Sequence, residues 1–228
     1  MFALSVSVND EPLCTAGAPV DGVIGVNLCW VDVSRWSLGH LSFWVGGLDS
    51  STQEHLCWQA PCLEVGDRVS VKLVEADAVD PPLERESKQD NHRFWLWRHY
   101  QRRAREELSM LRANPRVWVA ELGNTVERAI REAVTPHCPL GFRVTHDGHE
   151  VCTAGVPPPC VLTAGVTAAQ PRGEPAARRL SLEVGALDSR RGEHVHWNTP
   201  RLRGDDMVTI EVLATERWDA PSGRRRAK

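Results

Sequence analysis

Apolar side chains recur at every second position over short stretches along most of this chain. Leu4, Val6 and Val8 alternate with serines, and Ile24, Val26, Leu28 and Trp30 share one parity. Leu41, Phe43 and Val45 do the same, as do Leu56 with Trp58, and Val69, Val71 and Leu73. A period of two is that of a strand with one buried and one outer face. Gly, Pro and Asp separate the stretches. The pattern therefore predicts five or six short strands folded as a small antiparallel sandwich or barrel.

The pattern is written twice. Phe142, Val144 and His146 repeat the first stretch. Leu162, Ala164, Val166 and Ala168 repeat the second, and Leu180, Leu182 and Val184 the third. Val195 with Trp197, and Val208, Ile210 and Val212, complete the set. Cys14-Thr15-Ala16-Gly17 returns as Cys152-Thr153-Ala154-Gly155, an offset of 138. Val45-Gly46-Gly47-Leu48-Asp49-Ser50 returns as Val184-Gly185-Ala186-Leu187-Asp188-Ser189, an offset of 139, so one indel separates the copies. A duplication sets the domain plan and makes each difference between copies informative.

Between the copies the period changes. Asp90-Asn91 is a capping signal, and Trp97, Tyr100, Ala104, Leu108 and Leu111 follow at spacings of three and four. Asn114-Pro115 interrupts, and Val119, Leu122, Val126, Ile130 and Ala133 form a second such stripe. This reads as a helical hairpin. The expected class is α+β: a first β repeat over 1–83, a helical connector over 84–139, a second β repeat over 140–221 and a disordered basic tail over 222–228.

With 228 residues, 42% hydrophobic and 25% charged, the composition is that of a globular protein. No apolar run approaches the roughly 20 residues that span a bilayer. The first residues lack the basic start of a signal peptide, and seven cysteines without a scaffold rhythm fit reduced thiols, so a cytoplasmic location is expected. The net charge of −3 is unevenly placed. Residues 1–83 carry 3 basic and 11 acidic side chains, net −8, against 9 and 11, net −2, over 140–220. An acidic first copy suits a basic partner.

The outer positions are where function has room. Pairing the hairpin strands so that residue numbers sum to 99 sets Trp44 opposite His55 and Ser42 opposite Cys57. The same register in the second copy sets Glu183 opposite His194 and Ser181 opposite His196. Two imidazoles and a carboxylate are a transition-metal donor set, and equally an ordinary polar outer face. Trp44 stands where the twin has Glu183, so folding does not require it. It is either covered or offered to a partner, and the loop residue Trp36 has no aromatic counterpart. Trp58 and Trp197 share a face with core residues and are expected to be buried. The Gly-rich Leu-Asp-Ser segments read as hairpin loops.

Motifs for nucleophilic, phosphate-binding or zinc-protease chemistry are lacking, and Cys14 and Cys152 read as packing residues in a matched turn. Arg98, Arg102, Arg103 and Arg105, interleaved with Trp95, Trp97 and Tyr100, form a basic aromatic tract that could meet nucleic acid. The expectation is a non-enzymatic protein-binding module without a cofactor or membrane association. It would be an adaptor, or a bacterial immunity or inhibitor protein neutralising a basic toxin, with Trp44, Trp36 and His55 at the contact. The alternatives are a metal-binding protein or metal-dependent enzyme using Glu183, His194 and His196, and a nucleic-acid-binding protein using the arginine tract.

Overall fold

A computed structural model describes residues 2–17, 22–32, 40–58, 61–87, 139–170 and 179–227. In the first repeat the alternating stretches become β1 (Phe2–Val8), β2 (Glu11–Gly17), β3 (Gly22–Asp32), β4 (His40–Asp49), β5 (Glu54–Cys57), β6 (Arg68–Glu75) and β7 (Glu84–Ser87). In the second they become β8 (Leu140–His146), β9 (His149–Ala154), β10 (Cys160–Ala169), β11 (Arg179–Asp188), β12 (Glu193–His196), β13 (Met207–Ala214) and β14 (Gly223–Arg226). The two sets correspond one to one in chain order.

The repeats build one β-sandwich together. A six-stranded sheet runs β2-β1-β6-β13-β8-β9 and an eight-stranded sheet runs β14-β12-β11-β10-β3-β4-β5-β7. All adjacent strands are antiparallel. Each order is a palindrome of equivalent strands, so the repeats are related by a pseudo-twofold axis through the middle of both sheets. The inward residues of the two sheets form a single core. Leu4, Val6, Val71 and Leu73 meet Ile24, Val26, Leu28 and Val45, with their twins Phe142, Val144, Ile210, Val212, Leu162, Ala164, Val166 and Val184.

At the axis, equivalent residues face each other. In the six-stranded sheet Ser70 pairs with Thr209, and their hydroxyls are 3.0 Å apart. In the eight-stranded sheet Asn27 pairs with Gly165. Here the repeats must differ. A β-carbon at 165 would lie 2.9 Å from Val26 O and 3.0 Å from Asn27 Oδ1. Gly165→Ala is therefore expected to cost about 1–2 kcal/mol through overpacking. Urea unfolding measures it, and an unchanged midpoint would contradict the tight fit at the axis.

Three expectations are corrected. The class is all-β, not α+β: every element among the described residues is a strand, and none of those residues is helical. The connector expected from residue 84 begins later: residues 84–87 pair with β5, where Arg85 reaches Glu54 at 3.3 Å, so strand addition extends the first repeat to Ser87. The hairpin's stripes, with Trp97 and Arg98 to Arg105, fall in 88–138, outside the described residues. The tail expected to be disordered is strand β14. It pairs with β12 over Gly223–Arg226, with Arg224 3.3 Å from Glu193, which repeats the Arg85–Glu54 contact. Backbone pairing and one ion pair hold a segment whose composition alone reads as disordered. Among the described residues, no helix is long and apolar enough to cross a membrane.

Candidate functional site

The repeated features are structural. Trp58 and Trp197 are buried, and each indole Nε1 donates to a carbonyl, Asp80 O at 2.9 Å and Asp219 O at 3.1 Å. The same aspartates accept from Thr15 N and Thr153 N, both at 2.6 Å. This Trp–Asp latch ties the segment before β7 or β14 to β2 or β9. The Asp half was missed from sequence, although Asp80-Pro81-Pro82 and Asp219-Ala220-Pro221 are matched punctuation.

The Gly-rich Leu-Asp-Ser segments are not loops from their first glycine. Strand β4 runs on to Asp49 and β11 to Asp188, and the turns begin afterwards. Buried Asp49 Oδ1 accepts from Ser51 N at 2.9 Å and Ser51 Oγ at 2.6 Å. The Ser51 hydroxyl above all holds this carboxyl below its usual range, against the upward push of burial. Asp188 Oδ1 caps its turn through Arg190 N and Arg191 N at 3.1 and 3.2 Å.

The longer strands change the expected register. Gly46 faces Cys57 and Leu48 faces His55, while Gly185 faces His196 and Leu187 faces His194. The outer face is as expected, but Trp44 is not opposite His55. Glu183 lies beyond the paired part of β12, and it forms no metal cluster with His194 and His196 among the described residues. The His196 ring instead packs on Gly223, where a β-carbon would overlap it.

Trp44 is half-buried, beside Asn27 in β3, with its indole laid on Gly46 of its own strand. Gly46 is what lets the ring lie flat. An aromatic two residues before a strand glycine, on the same face, was a signal available in the sequence. Beyond it, His55 pairs with Glu86 and Cys57 with Glu84 on the sheet's last strand. The outer face of the first repeat thus runs from the axis through an aromatic ring to two carboxylates. In the twin the matching positions are Glu183, His196, Gly223 and Arg225. Trp36 and the arginine tract Arg98, Arg102, Arg103 and Arg105 lie outside the described residues.

Five of the thiols among the described residues are held protonated. Burial pushes Cys14, Cys152 and Cys160 up to about 12, helped respectively by Asp80, by Asp219 and Glu150, and by Asp32 and Asp188. Burial, with Glu84 and Glu86, pushes Cys57 up to about 11, and burial also raises Cys29. A thiolate at neutral pH is what nucleophilic chemistry needs.

One close group of ligating side chains exists among the described residues, and it was not anticipated. His146, Asp147 and Asp206 have donor atoms within 4.8 Å of one another. His146 Nε2 is 2.9 Å from Asp206 Oδ2 and 3.5 Å from Asp147 Oδ2. The twin shows what the group does. There Asn9 Nδ2 donates to Asp67 Oδ1 at 2.7 Å, and Asn9 Oδ1 accepts from Arg68 N at 2.9 Å. In the second repeat Asp147 Oδ1 accepts from Met207 N at 2.9 Å but has no proton for Asp206, and the imidazole supplies it. Both arrangements fasten one hairpin turn to the next strand.

No protein-family model matches the chain, and neither a curated protein nor a solved structure shows a significant match to it.

Proposed function

We propose that this protein acts by binding another protein, with no chemistry of its own, through the first-repeat half of the outer face of the eight-stranded sheet. The partner surface is basic. The observation that carries this is where the repeats part. Latches, turn caps and inward residues match, while Trp44, Cys57, Glu84 and Glu86 stand against Glu183, His196, Gly223 and Arg225. These outer-face positions are aromatic and acidic in the first copy, where the second has Glu183, His196, Gly223 and Arg225. A half-buried Trp beside carboxylates suits a contact in which charge speeds encounter and the ring slows release. An inhibitor or immunity protein acting on a basic toxin is one form of this reading, and an adaptor is another. The raised thiols and the structural use of the His146 group favour binding over catalysis.

The test compares wild type with Trp44→Glu and Glu86→Arg, each of which installs the twin's residue. Proteins retained from the native host by the wild type should be basic, should release with rising salt, and should bind either variant roughly tenfold more weakly, in line with losing one anchor. Both variants should keep the wild-type melting temperature. Retention of the same proteins with unchanged affinity by both variants would show that another surface binds.

A further inference from the structure

A second feature separates the repeats. The start of β1, the start of β11 and the segment between β12 and β13 border an open cavity of about 490 Å³. Phe2, Leu180 and Leu202 line it with apolar residues, and Arg179, Arg201 and Arg203 are its charged lining residues, with no carboxylate among them.

The first repeat separates what the fold needs from what has been added. At the offset of 139, Leu180 and Leu202 correspond to Leu41 and Leu63, so the apolar pair is kept in both copies. Arg179, Arg201 and Arg203 correspond to His40, Cys62 and Glu64. The backbone carrying the arginines is nonetheless the same. Arg203 N donates to Asp206 Oδ2 at 2.7 Å, and Glu64 N donates to Asp67 Oδ2 at 2.6 Å. The loop is held equally firmly in both repeats, and only the second loads it with cations.

No ion pair within the described structure holds these cations, although the Arg203 charge helps to lower the Asp206 carboxyl. Arg68, Arg85, Arg143, Arg191 and Arg224 each hold a carboxylate. Arg179, Arg201 and Arg203 form no ion pair with any described residue. Like charges gathered around one concavity repel each other unless an anion joins them. Guanidinium groups are the side chains best matched to the oxygens of a phosphate or carboxylate, which they can engage in pairs. A cavity of this size falls in the range of about 300–1,000 Å³ typical of small-molecule sites.

We infer that this cavity binds a small organic phosphate, its phosphate among Arg179, Arg201 and Arg203 and its apolar body against Phe2, Leu180 and Leu202. A dianionic phosphate balances three cations better than a single carboxylate does, and the apolar wall distinguishes a phosphate ester from the free ion. The inference is independent of the protein-binding face.

The test is calorimetric titration of the full chain, at one ionic strength, with phenyl phosphate, inorganic phosphate and benzoate. Phenyl phosphate should bind saturably and more tightly than either of the others. Arg201→Ala/Arg203→Ala should weaken it at least tenfold. Arg203→Glu, which installs the twin's residue, should weaken it similarly while leaving the melting temperature unchanged, so that loss of binding is not loss of fold. Benzoate binding as tightly as phenyl phosphate would overturn the phosphate assignment, and equal binding of inorganic phosphate would overturn the role of the apolar wall. The site itself falls if no saturable binding is seen, or if both variants bind as the wild type does.

Discussion

Trp197→Ala is expected to lower stability by about 3–5 kcal/mol, and Trp58→Ala by a similar amount, the cost of emptying a large buried aromatic site. Both indoles are almost fully buried, at 4% and 3% exposure, among inward residues of both sheets. The loss reaches beyond the cavity. Each Nε1 holds the carbonyl of Asp219 or Asp80, and those residues carry the chain from the six-stranded sheet to the edge strands β14 and β7. Losing the ring also leaves a carbonyl without its donor. Denaturant unfolding should show both variants shifted to much lower midpoints. Trp197→Phe should recover the packing part but not the hydrogen bond, and so fall between. A Trp197→Ala midpoint equal to wild type would mean that the latch holds nothing.

These tryptophans were legible because they repeat in phase with an alternating pattern. Strand faces were legible for the same reason, since period two is read directly from Leu4, Val6, Val69, Val71 and their twins. Lateral neighbours were not. The pairing of β3 with β10 and of β6 with β13 joins two repeats that each read as a unit by themselves, and an alternating strand does not announce which strand lies beside it. The only local hint is Gly165 opposite Asn27, which has meaning only once the pair is known. The register around Trp44 was misread because Gly46 and Gly47 look like a turn. They are strand residues whose missing side chains make room, one for the Trp44 ring and the other for Val23 O and the Ile24 side chain. The arginine basin was invisible for another reason. Arg179 is separated in sequence from Arg201 and Arg203, and Phe2 comes from the other repeat, so only the fold assembles them.

The His146 group permits a test in which one repeat is rewritten as the other. His146→Val, which installs the residue found at Val8, should cost about 1.5–3 kcal/mol at neutral pH, the range for a hydrogen bond to a charged group. It removes the donor between Asp147 and Asp206 and leaves two carboxylates facing each other without it. Adding Asp147→Asn recreates the Asn9–Asp67 arrangement, in which the amide donates across the same gap. The double variant should therefore regain most of the loss, a coupling that two unrelated surface changes would not show. The pH dependence gives a further check. Burial pushes the Asp206 carboxyl upward, but the Arg203 N–H and the His146 ring outweigh it and hold it below its usual value. A depressed carboxylate contributes stability above its unfolded value near 4, and that contribution is lost as pH falls through the folded one. The gap between wild type and His146→Val should accordingly be full at pH 7 and close as pH falls below about 4, through the depressed Asp206 value. A gap that persists undiminished in acid would mean that the imidazole acts by packing. A double variant no more stable than His146→Val would mean that the two repeats do not solve this turn in the same way.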